Sequence, residues 1–229
     1  MKRLPLFFAL VLISLFLLPA CHKDNGGGTQ SSVGNPVDSI RNHITQTMLD
    51  SLKKFGMHIY DGKTPPIVAG IYHLDRDSCV FDNVPKTDTP LYEQGRIIDS
   101  YKYRFSKQDN ATQTIRFDRK DDNGLDAASN SLGYITGSDN NFTIFSFESV
   151  TGGPSPHTEV KIISGQVSPA GIANFQSGLY LLTTQDPSHS VPVGTIRVFV
   201  DEDGVADATT VYSIKPPAQS RTYKESFLE

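Results

Sequence analysis

The chain has 229 residues, 38% of them hydrophobic and 10% aromatic, which suits one domain with a filled core. Its formal charge is −4, from 21 basic and 25 acidic residues. An acidic chain repels nucleic-acid phosphates and anionic lipid headgroups, so nucleic-acid binding and attachment through a basic patch are both set aside.

The N-terminus carries a positive pair, Lys2 and Arg3, followed by the uncharged run LPLFFALVLISLFLL at 4–18. Fifteen helical residues reach about 22 Å, short of the roughly 30 Å hydrocarbon core. The run therefore reads as the apolar region of a secretory signal and not as a membrane span. Leu18-Pro19-Ala20-Cys21 resembles the lipobox of bacterial lipoproteins. That resemblance implies a signal peptide at 1–20, cleavage before Cys21 and lipidation of its thiol, with the membrane as the partner. One acyl chain binds only reversibly, so the two or three chains of such a modification are what a durable anchor needs. Cleavage removes two bases and no acid, taking the charge to −6. Cys79 is then the one remaining cysteine, so no intramolecular disulfide is available. Its strand-like context, Ser78-Cys79-Val80-Phe81, points to a small buried hydrophobe.

Residues 21–35, from the lipidated Cys through HKDNGGGTQSSVGN, read as a flexible tether with a root-mean-square reach of about 20 Å. A helix is predicted over 36–56. Asn35 is its cap, Pro36 its first turn and Gly56 its stop, with an apolar stripe of Val37, Ile40, Ile44, Met48, Leu52 and Phe55. From 57 to 229 the apolar pattern has period two. Strands are predicted at 67–75, 78–84, 97–108, 112–119, 132–136, 142–150, 159–167, 172–184, 194–201 and 209–214. Turn clusters separate them: Asn123-Gly124, Gly137-Ser138-Asp139-Asn140, Gly152-Gly153-Pro154, Pro169-Ala170-Gly171 and Asp203-Gly204. About ten strands without intervening helices argue for a mostly β, antiparallel meander, closed as a barrel or folded as a β-sandwich.

Several short segments resemble a family of uncharacterised Bacteroidetes-type exported lipoproteins. They are Gly56-Met57-His58-Ile59-Tyr60, the run from Thr64 to Tyr72, Ile163-Ser164-Gly165 with Gly171-Ile172-Ala173-Asn174-Phe175, and Pro192-Val193-Gly194-Thr195 with Asp203-Gly204. The resemblance implies a lipocalin-like barrel. Gly70-Ile71-Tyr72 is similar to the Gly-x-Trp of the first lipocalin strand, which implies Tyr72 at the barrel floor. His22-Lys23-Asp24 resembles charged export signals that send lipoproteins of the outer membrane to the cell surface.

No Gly-x-Ser-x-Gly, His-Glu-x-x-His, P-loop or Cys-x-x-Cys occurs, so neither an enzyme nor a cofactor is expected. The six histidines, at 22, 43, 58, 73, 157 and 189, lack metal-ligand spacing. Asp201, Asp203 and Asp207 form a weak calcium candidate, as do the acids around 118–126. Neither matches an EF-hand, and Asp-Gly and Asn-Gly also favour tight hairpins. Asp38-Ser39-Ile40 and Asp50-Ser51-Leu52 resemble O-glycosylation triplets. The reading that follows is a monomeric binding barrel for a small apolar or amphipathic ligand. Tyr72, Tyr101, Tyr103, Phe105, Phe145 and Phe147 are its candidate lining, expected to converge on one incompletely filled interior. The alternative is a structural or interaction module with a filled core.

Overall fold

The computed structural model describes residues 36–88, 91–122, 127–150, 156–186 and 190–212. The signal peptide, Cys21, the tether, the Asn35 cap, the Asn123-Gly124 and Gly152-Gly153-Pro154 turns and residues 213–229 lie outside them. No helix among the described residues is long and apolar enough to cross a membrane.

The single helix predicted over 36–56 is two helices, α1 (Pro36–His43) and α2 (Gln46–Lys54). Thr45 causes the break. Its backbone is extended (φ −92°, ψ 152°), and its hydroxyl accepts a hydrogen bond from Met48 N at 3.2 Å, which makes it the N-cap of α2. A β-branched hydroxyl residue stabilises a helix end better than a helix interior. The apolar stripe survives the break: Val37, Ile40, Met48 and Leu52 are buried, while Ile44 and Phe55 are partly buried. Gly56, at φ +91°, ends α2 as expected.

Ten strands follow: β1 (Gly70–Leu74), β2 (Asp77–Asp82), β3 (Tyr101–Asp109), β4 (Thr114–Asp121), β5 (Ala127–Ser138), β6 (Asn141–Val150), β7 (His157–Val167), β8 (Gly171–Thr184), β9 (Ile196–Asp201) and β10 (Val205–Thr209). All pairings between them are antiparallel. Consecutive pairing from β3 to β8, with β10 joining β8 to β1, closes an eight-stranded barrel. A β-sandwich is thereby excluded. β1 and β2 act as one bent stave, since β1 pairs with β10 and β2 with β9. On its other edge that stave meets β3 and residues 95–99, where Ser78 bridges Ile97. β9 and β10 form the matching last stave, and both pair along the same edge of β8. The last described strand thus lies at 205–209, and residues 210–212 of the predicted 209–214 are not strand. Its short Val-Ala-Asp-Ala-Thr sequence has little strand propensity of its own and is held by ladders on both edges.

Two local features allow the closure. Asn174 (φ 50°) is an extra residue in β8 opposite Gln166 and Ser164, and a bulge of this kind bends a strand. It sits where β8 exchanges β10 for β9. Gly171 (φ +152°) lies so close to β10 that a Cβ there would stand 2.1 Å from Ala206 O. At one barrel end the connections are short, at 110–113, 139–140 and 168–170; at the other they are longer, at 83–100, 122–126, 151–156 and 185–195. Residues 57–69 strap the short-turn end. Along this strap Tyr60 N donates to Thr143 Oγ1 (2.8 Å), Thr64 N to Gly137 O (3.2 Å) and Val68 N to Gln108 Oε1 (2.8 Å).

Among the described residues there are two apolar clusters. One fills the barrel around Val68, Tyr103, Phe117, Phe142 and Phe175. The other lies outside the wall, where α1 and α2 cover Phe145, Val160, Ile162 and Val198. Leu52 is fully buried there, so Leu52→Ala should cost about 2–4 kcal/mol in chemical denaturation. Gly171→Ala should destabilise by more than about 1 kcal/mol through backbone strain. Its signature should be amide exchange accelerated first in β10 and the start of β8.

Candidate functional site at the charged end of the barrel

Strand alternation decides which side chains point inward, and the inward face changes character along the barrel. At the strapped end it is apolar and aromatic. Tyr103 lies 5.9 Å from Phe105 and 5.3 Å from Phe175, and Phe105 lies 6.1 Å from Phe117, centroid to centroid. The Tyr72 ring folds back over Gly70, whose missing side chain leaves it room, and packs 6.0 Å from Phe105. Burial raises the Tyr72 phenol above its ordinary pKa. Tyr101 is partly buried against the same cluster.

The six candidate lining residues do not share one interior. Tyr72, Tyr101, Tyr103 and Phe105 belong to the inner cluster, whereas Phe145 and Phe147 point out of the barrel beneath the helices. Phe147 stacks on His43, with centroids 4.3 Å apart, and Phe145 packs near Tyr134. In β6 the inward set is Phe142, Ile144, Ser146 and Glu148. The wall is apolar on both faces there because α1 and α2 need a surface to bury against, and alternation alone cannot say which apolar set faces the axis.

Toward the long-loop end the inward face becomes polar and charged. β4 runs Ile115, Phe117, Arg119, Asp121; β6 ends on Ser146 and Glu148; β7 begins with Glu159 and Lys161; β8 supplies Ser177. β2 and β9 add Asp77 and Asp201, which lie directly opposite one another. These charged side chains are only 3–9% exposed. Arg119 Nη2 donates to Glu148 Oε2 at 3.2 Å, and His157 Nε2 stands 3.6 Å from Glu159 Oε2. Lys161 Nζ lies 5.7 Å from the centre of the Phe199 ring. Arg119 and Lys161 thus connect Glu148, Glu159, Asp77 and Asp201, and Asp121 lies two residues beyond Arg119 on the same face of β4. Asp77 Oδ1, Asp121 Oδ1, Glu148 Oε1 and both Asp201 carboxylate oxygens are buried acceptors with no donor from the described residues. An unpaired buried acceptor is costly, so five on one inner surface mark a place shaped for donors supplied from outside the chain.

The electrostatics follow the same division. Burial pushes Asp77 up to about 7, with Lys161 opposing and Asp201 reinforcing the shift. Burial likewise pushes Asp201 up to about 7, reinforced by Asp203 and Asp75. For Glu159 burial acts upward, but the His157 hydrogen bond and the charges of Lys161 and Arg119 together hold it below its ordinary value.

The calcium candidates do not assemble. Asp201 faces the barrel interior, Asp203 accepts from Val205 N at 3.0 Å within the turn, and Asp207 is exposed on β10. Part of the second acidic turn, 123–126, lies outside the described residues. Among the described residues no group of three or more His, Cys, Asp and Glu side chains is placed to hold a metal ion. Cys79 is fully buried, as expected, and burial with the nearby carboxylates of Asp82 and Glu93 pushes its thiol up to about 12, so it is inert.

Arg119, Glu148, Glu159 and Lys161 were not among the sequence-derived candidates. A signal for them exists: on successive strands one face runs from aromatic to charged toward the same barrel end.

The Asp77–Asp201 pair has a consequence for stability. Between about pH 4 and pH 7 the folded state holds protons that the unfolded chain releases, so the pair's contribution falls as pH rises through that window and is flat above it. Asp77→Asn with Asp201→Asn should therefore stabilise the protein more at pH 8 than at pH 5, by about 1–3 kcal/mol. Urea denaturation at the two pH values measures the difference; equal effects at both would show that the pair does not titrate there.

No family model matches the chain, and neither the curated proteins nor the solved structures contain a match to it.

Proposed function

We propose that the protein is an envelope lipoprotein, anchored in the outer membrane through lipid on Cys21, whose lipocalin-like barrel binds a small amphipathic ligand at its long-loop end. The observation carrying this reading is the inner surface itself. An aromatic floor around Tyr72, Tyr103 and Phe105 lies below buried acceptors on Asp77, Asp121 and Glu148 that lack donors within the described chain. An apolar body with a polar end complements such a gradient. The signal-like leader, the lipobox-like ending and the short family-like segments support the envelope location.

The interaction-module reading is favoured by one observation, the dense burial of Tyr103, Phe105, Phe117, Phe142 and Phe175. One experiment separates the two. The protein is incubated with the small-molecule fraction of a cell extract, recovered, denatured, and the released compounds identified by mass spectrometry. A binding barrel releases a compound that also raises the melting temperature of fresh protein in a concentration-dependent way. Release of none favours the filled module.

Anchoring is tested separately. Cys21→Ala should leave the melting temperature unchanged and move the protein from the membrane to the soluble fraction. A Cys21→Ala protein that still pellets with membranes after a high-salt wash would show that lipid is not the attachment.

A further inference from the structure

Among the described residues, the buried polar groups differ in kind at different places. On the outside of β3 and β4, Arg104 and Lys120 lie over the Tyr212 ring, and Arg104 is bound to Asp118 at 2.7 Å, so opposite charges there meet one another. On the inward face of β9, Arg197 satisfies Asp82 at 3.1 Å and Glu93 at 3.0 Å, so that charge is already balanced. Elsewhere inside the barrel the balance fails. Arg119 is bonded to Glu148 through one oxygen, and the other oxygen, Oε1, has no donor. Asp121, two residues along the same inward face of β4, also has a carboxylate oxygen without one. Asp77, on the stave completed by β2, has a third, and Asp201 directly opposite it has two more. All four side chains are at least nine-tenths buried. The surface therefore holds surplus acceptors, and above about pH 7, where Asp77 and Asp201 lose their protons, it also holds surplus negative charge.

We propose that the polar group this surface takes is a cation, a primary ammonium, so that the ligand is an amphipathic amine. This rests on the binding-barrel reading and specifies its ligand class. An ammonium brings three donors and no acceptor, matching the orphaned carboxylate oxygens in kind. Once Asp77 and Asp201 are ionised, above about pH 7, it also supplies the positive charge that five carboxylates facing Arg119 and Lys161 lack. A carboxylate-headed ligand would add acceptors to a surface already in excess of them. Tyr101 and Tyr103, directly opposite Asp121 and Arg119 on the β3–β4 ladder, and the rings of Phe105 and Phe117 below them suit a flat apolar body attached to that amine.

The chain contains no tryptophan, so indole fluorescence excited at 295 nm reports a ligand without protein background. Tryptamine and indole-3-propionate carry the same ring with opposite charge and serve as matched probes for the full-length protein. Tryptamine should bind saturably, and at least tenfold more tightly than indole-3-propionate. Asp121→Asn and Glu148→Gln should each weaken tryptamine at least tenfold, while the exposed Asp207→Asn leaves it unchanged. Because Glu148→Gln also disturbs Arg119, Asp121→Asn decides the matter if the Glu148 variant melts early. Equal or tighter binding of indole-3-propionate would overturn the amine assignment while leaving a ligand-binding barrel in place. Failure of both probes would overturn the amine proposal; the extract experiment then reads the barrel's binding role independently.

Discussion

Everything in this protein depends on the seam that joins the first strands to the last. β1 and β2 hydrogen-bond to β10 and β9, and both of those lie along β8. Without that seam the sheet would have two long open edges, which are prone to pair with other chains. The Gly171 approach to Ala206 O and the Asn174 bulge are the local means by which one 14-residue strand serves two partners. Closure also creates an inside, and so turns ordinary strand alternation into a division between a sealed interior and an outer wall.

That division is asymmetric along the axis. The end with short turns is strapped by 57–69 and filled with aromatic rings. The end with long connections carries the charged side chains inward. Both clusters arise from the same strands, so the packing that stabilises the floor also fixes the positions of the charges above it. A charge on a rigid wall is held in place by its neighbours' packing, which is how a binding surface can keep unsatisfied groups without collapsing onto them. The cost is visible in Asp77 and Asp201, whose carboxyls are held up to about 7 by burial beside one another.

The outer helices have a different role. They cover an apolar strip made by Phe145, Val160, Ile162, Ile196 and Val198, which would otherwise be an exposed patch on the barrel wall. His43 on Phe147, Phe55 on Phe81 and Arg41 over Tyr134 complete the cover with flat contacts. The helices thereby consume two of the aromatic residues that alternation offered as barrel lining.

The sequence by itself determined the kinds of elements and most of their places. Period-two runs and Gly, Asn and Asp turns placed β6, β7, β8 and the Pro169-Ala170-Gly171 turn, and a period near 3.6 marked the buried stripe from Val37 to Leu52. These are local signals, set by backbone sterics and by one apolar face per element. Tertiary structure alone decided which apolar face of β6 met the axis, because two partners, the core and the helices, competed for the two faces. It alone placed β10 at 205–209, a segment whose own propensity is too weak to announce a strand. It alone gathered Asp77, Asp121, Glu148, Glu159 and Asp201 with Arg119 and Lys161. Those residues come from five strands far apart in the chain, and only the closed ladder brings their charges within reach of one another.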